Sequence, residues 1–273
     1  MKEQASPAGC ARVIGGRKEQ QDAVACFASR DRQAYFLVLA DGMGGHSGGA
    51  LAAQTVIEIA GRLWAKRRSA PPDPASFLAE FVAQADRAVH EGGRASGLAP
   101  RSTLVALLTD GEQACWAHVG DSRLYAFRDG QQIFRTEDHT AVQAMVRAGK
   151  LDEDAMYTHP DQHKLLRGLG GDTPVQPTHG RLQLSGETGF LLCSDGFWSQ
   201  IAPQEMIGIL REPDLQKASE HACALAARRG GEDGDNVSVA LLRTLPMRRW
   251  RLWPLAAALA LAGMMLLWRL NLE

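Results

Sequence analysis

The chain has 273 residues, of which 45% are hydrophobic, and its formal net charge is -1 at pH 7. This length and hydrophobic content suffice for one sizeable core, so we predict a single domain with an appendage. The near-neutral charge and the lack of a basic and aromatic array in the sequence argue against nucleic-acid binding. Five scattered cysteines without a C-x-x-C pair indicate reduced thiols in a cytosolic domain, and the N-terminus lacks the apolar segment of a signal peptide.

The N-terminal part of the chain predicts a flexible leader over residues 1–11 and then a folded domain over residues 12–244. Near the start of that domain, Arg17 stands five residues before Asp22, just ahead of an apolar strand at Ala23–Phe27. A guanidinium group is a planar fork suited to phosphate, and a carboxylate is a hard oxygen ligand for a cation. Taken alone, the two residues are better explained as an ion pair in a surface loop.

A strand that ends in a carboxylate is the central feature of the sequence. The apolar run Tyr35–Ala40 predicts a buried strand, which stops at Asp41 and is followed by Gly42. From Ser47 the spacing is helical, and small residues would let this helix pack closely against a sheet. An acid held at a strand end beside exposed backbone suits a hard cation. The alternatives are a solvated aspartate in an ordinary turn and a phosphate-binding loop, although no Gly-Lys-Ser/Thr follows.

The rest of the domain combines hairpins, helices and one irregular segment. Short strands separated by Asp-Gly turns run from Ser102 to Arg135 and are typical of antiparallel hairpins. Residues 151–171 are polar and rich in histidine, and we predict that they form a mobile flap over a site. The flap histidines His159 and His163 are candidate metal ligands, although neither has a partner at a metal-binding spacing.

Five aspartates stand where a strand meets a glycine or a turn. One such residue is ordinary, but five like charges at the ends of one core repel each other unless cations neutralise them. A carboxylate set without histidine or cysteine favours Mg²⁺ or Mn²⁺ over Zn²⁺. The five residues are Asp22, Asp41, Asp121, Asp195 and Asp235.

Five motifs around these aspartates follow one another along the chain. They are Arg17…Gln21-Asp22, Asp41-Gly42-Met43-Gly44-Gly45-His46, Gly120-Asp121-Ser122-Arg123, Ser194-Asp195-Gly196 and Asp235-Asn236-Val237-Ser238. In their order and approximate spacing they resemble the metal-dependent protein phosphatase family (PPM, type 2C) in its bacterial form, from about residue 12 to residue 242. The resemblance implies an α+β fold, a four-layer α-β-β-α sandwich of two antiparallel sheets flanked by helices.

The resemblance also implies a role for each matched residue. Two ions of Mn²⁺ or Mg²⁺ would be bound, and Arg17 would hold the phosphate of the substrate. Asp41 would bridge the two ions, which makes it catalytic together with Arg17, and Asp22 would act through a metal-bound water. The third, weaker metal site of bacterial members would lie at Asp121 and Asp195, close to the flap. The implied metal ligands are Asp22, Asp41, the carbonyl group of Gly42, Asp121, Asp195 and Asp235.

The implied activity is hydrolysis of phosphoserine and phosphothreonine in phosphorylated proteins, in opposition to a Ser/Thr protein kinase. Two cations about 4 Å apart would lower the pKa of a shared water toward neutrality and neutralise the phosphoryl oxygens. Met43 stands where some members carry a histidine that protonates the leaving group, and His46 is better explained as structural, so no acid is assigned. A non-catalytic relative that binds phosphoproteins and a hydrolase of small phosphate esters are the alternatives.

The C-terminal part of the sequence predicts a membrane anchor. Residues 245–251 form a basic juxtamembrane linker, and the largely uncharged run that follows predicts a transmembrane helix over residues 252–269. Such a helix covers ~25 Å, so snorkelling arginines and interfacial tryptophans would complete the span of the bilayer. The basic flank predicts a single-pass protein of the inner (cytoplasmic) membrane with its catalytic domain in the cytoplasm. A buried or interfacial helix is the alternative.

Overall fold

Two antiparallel sheets lie at the centre of the fold, and helices cover their outer faces. The computed structural model describes residues 6–44, 48–65 and 67–244. The strands are β1 (Ala8–Val13), β2 (Asp22–Ala28), β3 (Tyr35–Met43), β4 (Arg101–Ser102), β5 (Leu104–Thr109), β6 (Gln113–Val119), β7 (Arg123–Arg128), β8 (Gln131–Arg135), β9 (Thr178–Gln183), β10 (Thr188–Cys193) and β11 (Val237–Thr244). The helices are α1 (Gly48–Trp64), α2 (Pro74–Ser96), α3 (Ala141–Arg147), α4 (Asp195–Trp198), α5 (Pro203–Arg211) and α6 (Leu215–Gly230), with 3₁₀ turns at Glu153–Thr158 and Gly231–Asp233.

The strand order shows which elements lie beside one another. The first sheet has the order β1-β11-β10-β7-β8, and the second has the order β2-β3-β5-β6-β9 with β4 paired to β3. Every neighbouring pair is antiparallel. Between Ser102 and Arg135, the predicted hairpins are confirmed for β5–β6 and β7–β8, whereas β6 and β7 lie in different sheets.

The central strand β3 is buried on both faces, which explains its continuous apolar sequence. Phe36, Val38 and Ala40 pack in the layer beneath α1 and α2. Leu37 and Leu39 point the opposite way and pack between the two sheets. Because successive strand residues point to opposite faces, a strand covered on both sides needs an apolar residue at every position.

Three apolar layers separate the four layers of secondary structure. The first lies between α1, α2 and the second sheet, and the second lies between the sheets. In the third layer, residues such as Leu191 of β10 pack against Leu215 and Cys223 of α6. This arrangement confirms the predicted α+β sandwich and its α-β-β-α order.

The N-terminal leader predicted for residues 1–11 is wrong from Ala8 onward. Strand β1 pairs with β11, from Ala8 opposite Leu242 to Val13 opposite Val237. The backbone of β11 would otherwise end the sheet with unpaired donors and acceptors, and β1 satisfies them. Small residues in Ala8–Ala11 hid this strand from pattern analysis.

No helix in the described ranges is long and apolar enough to cross a membrane. The predicted linker over residues 245–251 and the predicted transmembrane helix over residues 252–269 lie outside those ranges, as does His46.

Candidate active site

The predicted metal-binding carboxylates converge on one end of the sandwich. The second sheet supplies Asp22 at the start of β2, Asp41 near the end of β3 and Asp121 just after β6. The first sheet supplies Asp195 after β10 and Asp235 before β11. A cleft of about 470 Å³ opens there, and Asp22 lies buried behind it. Its walls include Arg17, Asp41, Gly42, Asp121, His163, Asp195 and Asp235.

Two of the carboxylates face each other across a strand pair. Asp22 and Asp41 are direct partners in the β2–β3 ladder. Burial raises the pKa of Asp22 to about 7, although hydrogen bonds with Ser194 and Ser238 lower it, and the charges of Asp195 and Asp235 add to the increase. Burial also raises the pKa of Asp41 well above its usual range, and Asp22 raises it further. Like charges in this position destabilise a strand pair, so the arrangement calls for a cation.

An unpartnered oxygen gives a second indication of a metal site. Asp22 Oδ2 is buried and has no hydrogen-bond partner within the described part of the chain. A buried carboxylate oxygen without a donor is costly, and a cation or its bound water would satisfy it. The residues present therefore fit the hard divalent cation that the sequence predicted.

A neighbouring group matches the predicted third metal site. One ligand atom from each of Asp121, His163 and Asp195 lies within 4.8 Å of the other two. Burial raises the pKa of Asp121 to about 8, with a further contribution from Asp195, and a hydrogen bond to Asp195 raises the pKa of His163. His159 is not part of this group, and its Nδ1 accepts a hydrogen bond from the amide of Asp161.

Close backbone packing fixes the position of Gly42, which lines the cleft. A Cβ atom on Gly42 would lie 1.9 Å from the carbonyl oxygen of Gly49, in the first turn of α1. The Gly42 amide also donates to the Gln21 carbonyl at 3.0 Å, which ties this position to β2. Only glycine fits between these backbones, and this confirms the expected tight packing of the helix.

Arg17 stands at the cleft wall and is held by an aspartate. Its Nε and Nη2 donate to Oδ1 and Oδ2 of Asp235 at 2.9 and 2.6 Å. The side chain of Arg17 is 56% exposed, so its guanidinium group is accessible to a substrate. Asn236 fixes the same loop, because its Oδ1 accepts from the Gln21 amide at 2.7 Å and its Nδ2 donates to the Ile14 carbonyl at 2.8 Å.

A threonine that the sequence analysis missed connects two of the acidic loops. The Asp41 amide donates to Thr103 Oγ1 at 3.0 Å, and the Thr103 amide donates to the Asp41 carbonyl at 2.8 Å. Thr103 Oγ1 also lies 2.7 Å from Oγ of Ser122, the residue after Asp121. The backbones that carry Asp41 and Asp121 are thus linked through one buried side chain.

Trp198 was also missed, and it fixes the other side of Asp121. Its Nε1 donates to the Asp121 carbonyl at 3.0 Å, and the Arg123 guanidinium stacks 3.6 Å above its ring. Arg123 in turn makes a buried, bidentate ion pair with Asp138, with Nη2 and Oδ2 2.7 Å apart. The only sequence signal was Arg123 in its motif, to which no role was given.

The sequence of the chain is similar to those of known proteins. The chain matches the family model described as protein phosphatase 2C over residues 13–228. The serine/threonine protein phosphatase PstP of Mycobacterium tuberculosis is 32% identical over 216 residues, which cover 76% of this chain. The chain spans only 40% of the length of that relative.

Solved structures share the whole sandwich. The serine/threonine phosphatase of S. agalactiae is 28% identical with a TM-score of 0.77, covering 86% of this chain and 97% of that one. The catalytic domain of PstP in complex with two manganese ions is 29% identical with a TM-score of 0.74, covering 87% and 97%. The manganese complex confirms the predicted divalent cofactor of the Mn²⁺ or Mg²⁺ type at the level of the family. The match to the family model covers most of this chain, and the chain therefore belongs to the protein phosphatase 2C family.

Proposed function

We propose that this chain is a protein serine/threonine phosphatase that hydrolyses phosphoserine and phosphothreonine with two bound Mn²⁺ or Mg²⁺ ions and a third, weaker one. The observation that carries the proposal is the convergence of four carboxylates from both sheets on one cleft, with Asp22 buried behind it and opposite Asp41. PstP is a serine/threonine protein phosphatase, and its similarity to this chain supports the same class of substrate.

Different residues of the chain would bind the metal ions and the substrate. Asp41, the Gly42 carbonyl, Asp195 and Asp235 would hold the two principal ions, and the buried Asp22 would accept a hydrogen bond from a coordinated water. When bound, the ions lower the pKa of water and neutralise the charge that develops on the phosphoryl group.

Arg17 would orient the phosphate group of the substrate. Its guanidinium fork is bidentate toward Asp235 in this structure, and carboxylate and phosphate oxygens present the same spacing to such a fork. The Arg17 side chain is 56% exposed, so its guanidinium group would reach a phosphate group bound in the cleft. Arg17 would thereby orient the phosphate ester so that water attacks the phosphorus atom in line with, and opposite to, the leaving oxygen.

The activity is tested by measuring hydrolysis of a phosphothreonine peptide and of p-nitrophenyl phosphate, with Mn²⁺ added or chelated. We expect turnover of both substrates with Mn²⁺ and none after chelation. Metal-independent turnover would contradict the proposal, and binding of the peptide without turnover would show a phosphoprotein-binding module. Faster turnover of sugar phosphates than of phosphopeptides would identify a hydrolase of small esters.

We further propose that residues 252–269 anchor the phosphatase in the inner membrane, where it counteracts a Ser/Thr protein kinase. The support is the sequence, in which a largely uncharged run follows Arg248, Arg249 and Arg251. We expect the full-length chain to sediment with membranes and resist carbonate extraction. A chain that ends at Thr244 is expected in the supernatant with its activity retained.

A single substitution separates an anchor from an ordinary C-terminal segment. Leu261→Arg places a charge in the middle of the uncharged run, which is costly in hydrocarbon but harmless in water. This variant should leave the membrane fraction as the truncated chain does. Full-length protein that is already in the supernatant would refute the anchor. Phosphoproteins that accumulate in a deletion strain would identify the substrates that the phosphatase and the opposing kinase share.

A further inference from the structure

Two cysteines meet at the open edge of the sandwich. Cys10 lies on β1 and Cys26 on β2, the edge strands of the two different sheets. Both are only half-buried and both pack against the layer between the sheets, whereas the other three cysteines are buried. The edge strands are therefore the place where thiols from the two sheets are partly accessible.

The contacts between the strands place the two side chains side by side. Cys26 Sγ lies 3.6 Å from the carbonyl oxygen of Gly9, the residue before Cys10. Further along the same strands, Arg12 Nη1 donates to the Asp22 carbonyl at 2.7 Å. These contacts show β1 and β2 running past each other in opposite directions, with Cys10 beside Cys26.

The two thiols are chemically unequal. Hydrogen bonds from the thiol and the amide of Cys26 lower the pKa of Cys10, whereas the same contact and burial raise the pKa of Cys26 well above its usual range. Because the thiolate is the nucleophile in thiol–disulfide exchange, Cys10 is the residue that attacks first and Cys26 the one that resolves the adduct.

We propose that Cys10 and Cys26 form a reversible disulfide that joins the edges of the two sheets. The oxidant is a small disulfide such as oxidised glutathione. The Cys10 thiolate attacks one of its sulfurs and expels one glutathione thiolate. Cys26 then gives up its proton, attacks the Cys10 sulfur and expels the second glutathione, so one dithiol and one disulfide exchange two electrons and two protons.

The ring that this bond closes runs from residue 10 to residue 26 and contains Arg17 and Asp22. Strands β1 and β2 flank the loop that carries Arg17, so the bond constrains a segment that lines the cleft. A disulfide restricts the unfolded chain, so the oxidised protein should unfold at a higher temperature than the reduced one. The disulfide forms whether or not the chain is an active phosphatase.

The test treats the full-length chain with oxidised glutathione and records its intact mass under denaturing conditions without reductant. We expect the loss of two hydrogen atoms, a peptide map that joins Cys10 to Cys26, and a rise in the unfolding temperature that reductant reverses. A Cys10–Cys26 link that does not form in folded wild-type protein would overturn the proposal.

Serine variants separate the roles of the two thiols. Cys26→Ser should retain one glutathione on Cys10, because no resolving thiol is left, and Cys10→Ser should gain no adduct on Cys26. Cys223→Ser replaces one of the three buried cysteines and serves as the control. This variant should form the Cys10–Cys26 link as wild type does. A preferred adduct on Cys26 in place of Cys10 would overturn the assigned order.

Discussion

At the scale of single residues, the pair Asp22 and Asp41 shows how the fold retains charges that oppose it. Two ionised groups about 5 Å apart, at an effective dielectric constant of about 20, repel by about 3 kcal/mol. The pair occupies opposite positions in a strand ladder, where apolar residues would stabilise the sheet instead. Its presence is explained by a bound cation, which turns a destabilising contact into a ligand set.

Replacing Asp41 with asparagine should therefore have opposite effects on activity and on metal-free stability. Asp41→Asn keeps the shape of the side chain but removes one negative charge, so we expect metal-dependent turnover to fall by about 10³-fold or more. Without metal, the variant should unfold with a free energy about 1 kcal/mol higher than wild type, because asparagine removes the cost of burying the Asp41 carboxyl group and of placing it opposite Asp22. Kinetics with Mn²⁺ and denaturant melts in chelator measure the two effects.

Asp172→Asn is the matched control, because it removes one charge from an exposed aspartate that does not line the cleft. Asp172→Asn should change neither the metal-dependent turnover nor the free energy of unfolding without metal. Asp41→Asn protein that is both inactive and less stable without metal would show that Asp41 supports the fold and not a cation.

At the scale of elements, the single turn of α4 connects two parts of the site. Asp195 is its first residue and Trp198 is its last. The indole group of Trp198 donates to the Asp121 carbonyl, so one short helix fixes both carboxylates of the predicted third metal site. Arg123 packs on the other face of the indole and is itself held by Asp138, which makes α4 a rigid support.

Trp198→Phe tests this support, because phenylalanine retains an aromatic face for Arg123 but has no N–H donor. We expect the Mn²⁺ concentration for half-maximal activity to rise several-fold, with about 1 kcal/mol or less lost in the free energy of unfolding. Metal titrations by activity and by calorimetry measure the first effect.

Trp64→Phe is the control for the loss of an indole hydrogen bond. Trp64 Nε1 also donates to a backbone carbonyl, that of Ala28 at 3.2 Å, but it lies in the layer beneath α1 and away from the cleft. This variant should keep the wild-type metal dependence. If both variants weaken the binding of Mn²⁺ equally, the effect comes from general destabilisation of the fold, and Trp198 has no specific role.

Elements that carry their own signal could be predicted from the sequence, and those defined by a distant partner could not. β3 was recognisable because its apolar run ends at Asp41, and the helix after it because its small residues follow a glycine turn. β1 was missed because its pairing with β11 decides its structure, and β9 because its alternate residues are polar. Thr103 and Trp198 were missed because their roles depend on hydrogen bonds to chain segments far away in the sequence.

At the scale of the whole molecule, the site exists only when both sheets are packed together. Three of the five carboxylates come from the second sheet and two from the first. Folding therefore brings the acids together, and the free energy of folding includes the cost of assembling them. This cost depends on pH and on metal, so the stability of the entire domain should report on the cleft.

The metal-free domain should lose stability as the pH rises from about 7 to about 8.5. Asp22 and Asp121 have pKa values raised from 3.8 to about 7 and about 8. A carboxyl group whose pKa is raised by folding stabilises the protein fully below its unfolded pKa, and this stabilisation is lost as the pH passes the folded pKa. Over this window, the titration of the two groups together is expected to lower the free energy of unfolding by about 2 kcal/mol. Chemical denaturation in chelator at several pH values measures it.

The window starts at pH 7 so that histidines whose pKa is lowered by folding do not hide this effect. The raised pKa of His163 acts in the same direction as the carboxylates, whereas the lowered pKa of Cys10 acts against them. Folding lowers the pKa of the buried His118 and of His139, the latter to about 3, so these histidines destabilise the protein only below their usual pKa of about 6.5. Above pH 7 they are neutral in both states and contribute no slope. With saturating Mn²⁺ the carboxylates are held ionised by the cations, so the loss of stability should disappear. Metal-free protein whose stability is flat or rises across the window would show that burial does not raise the pKa values of Asp22 and Asp121 in the folded state.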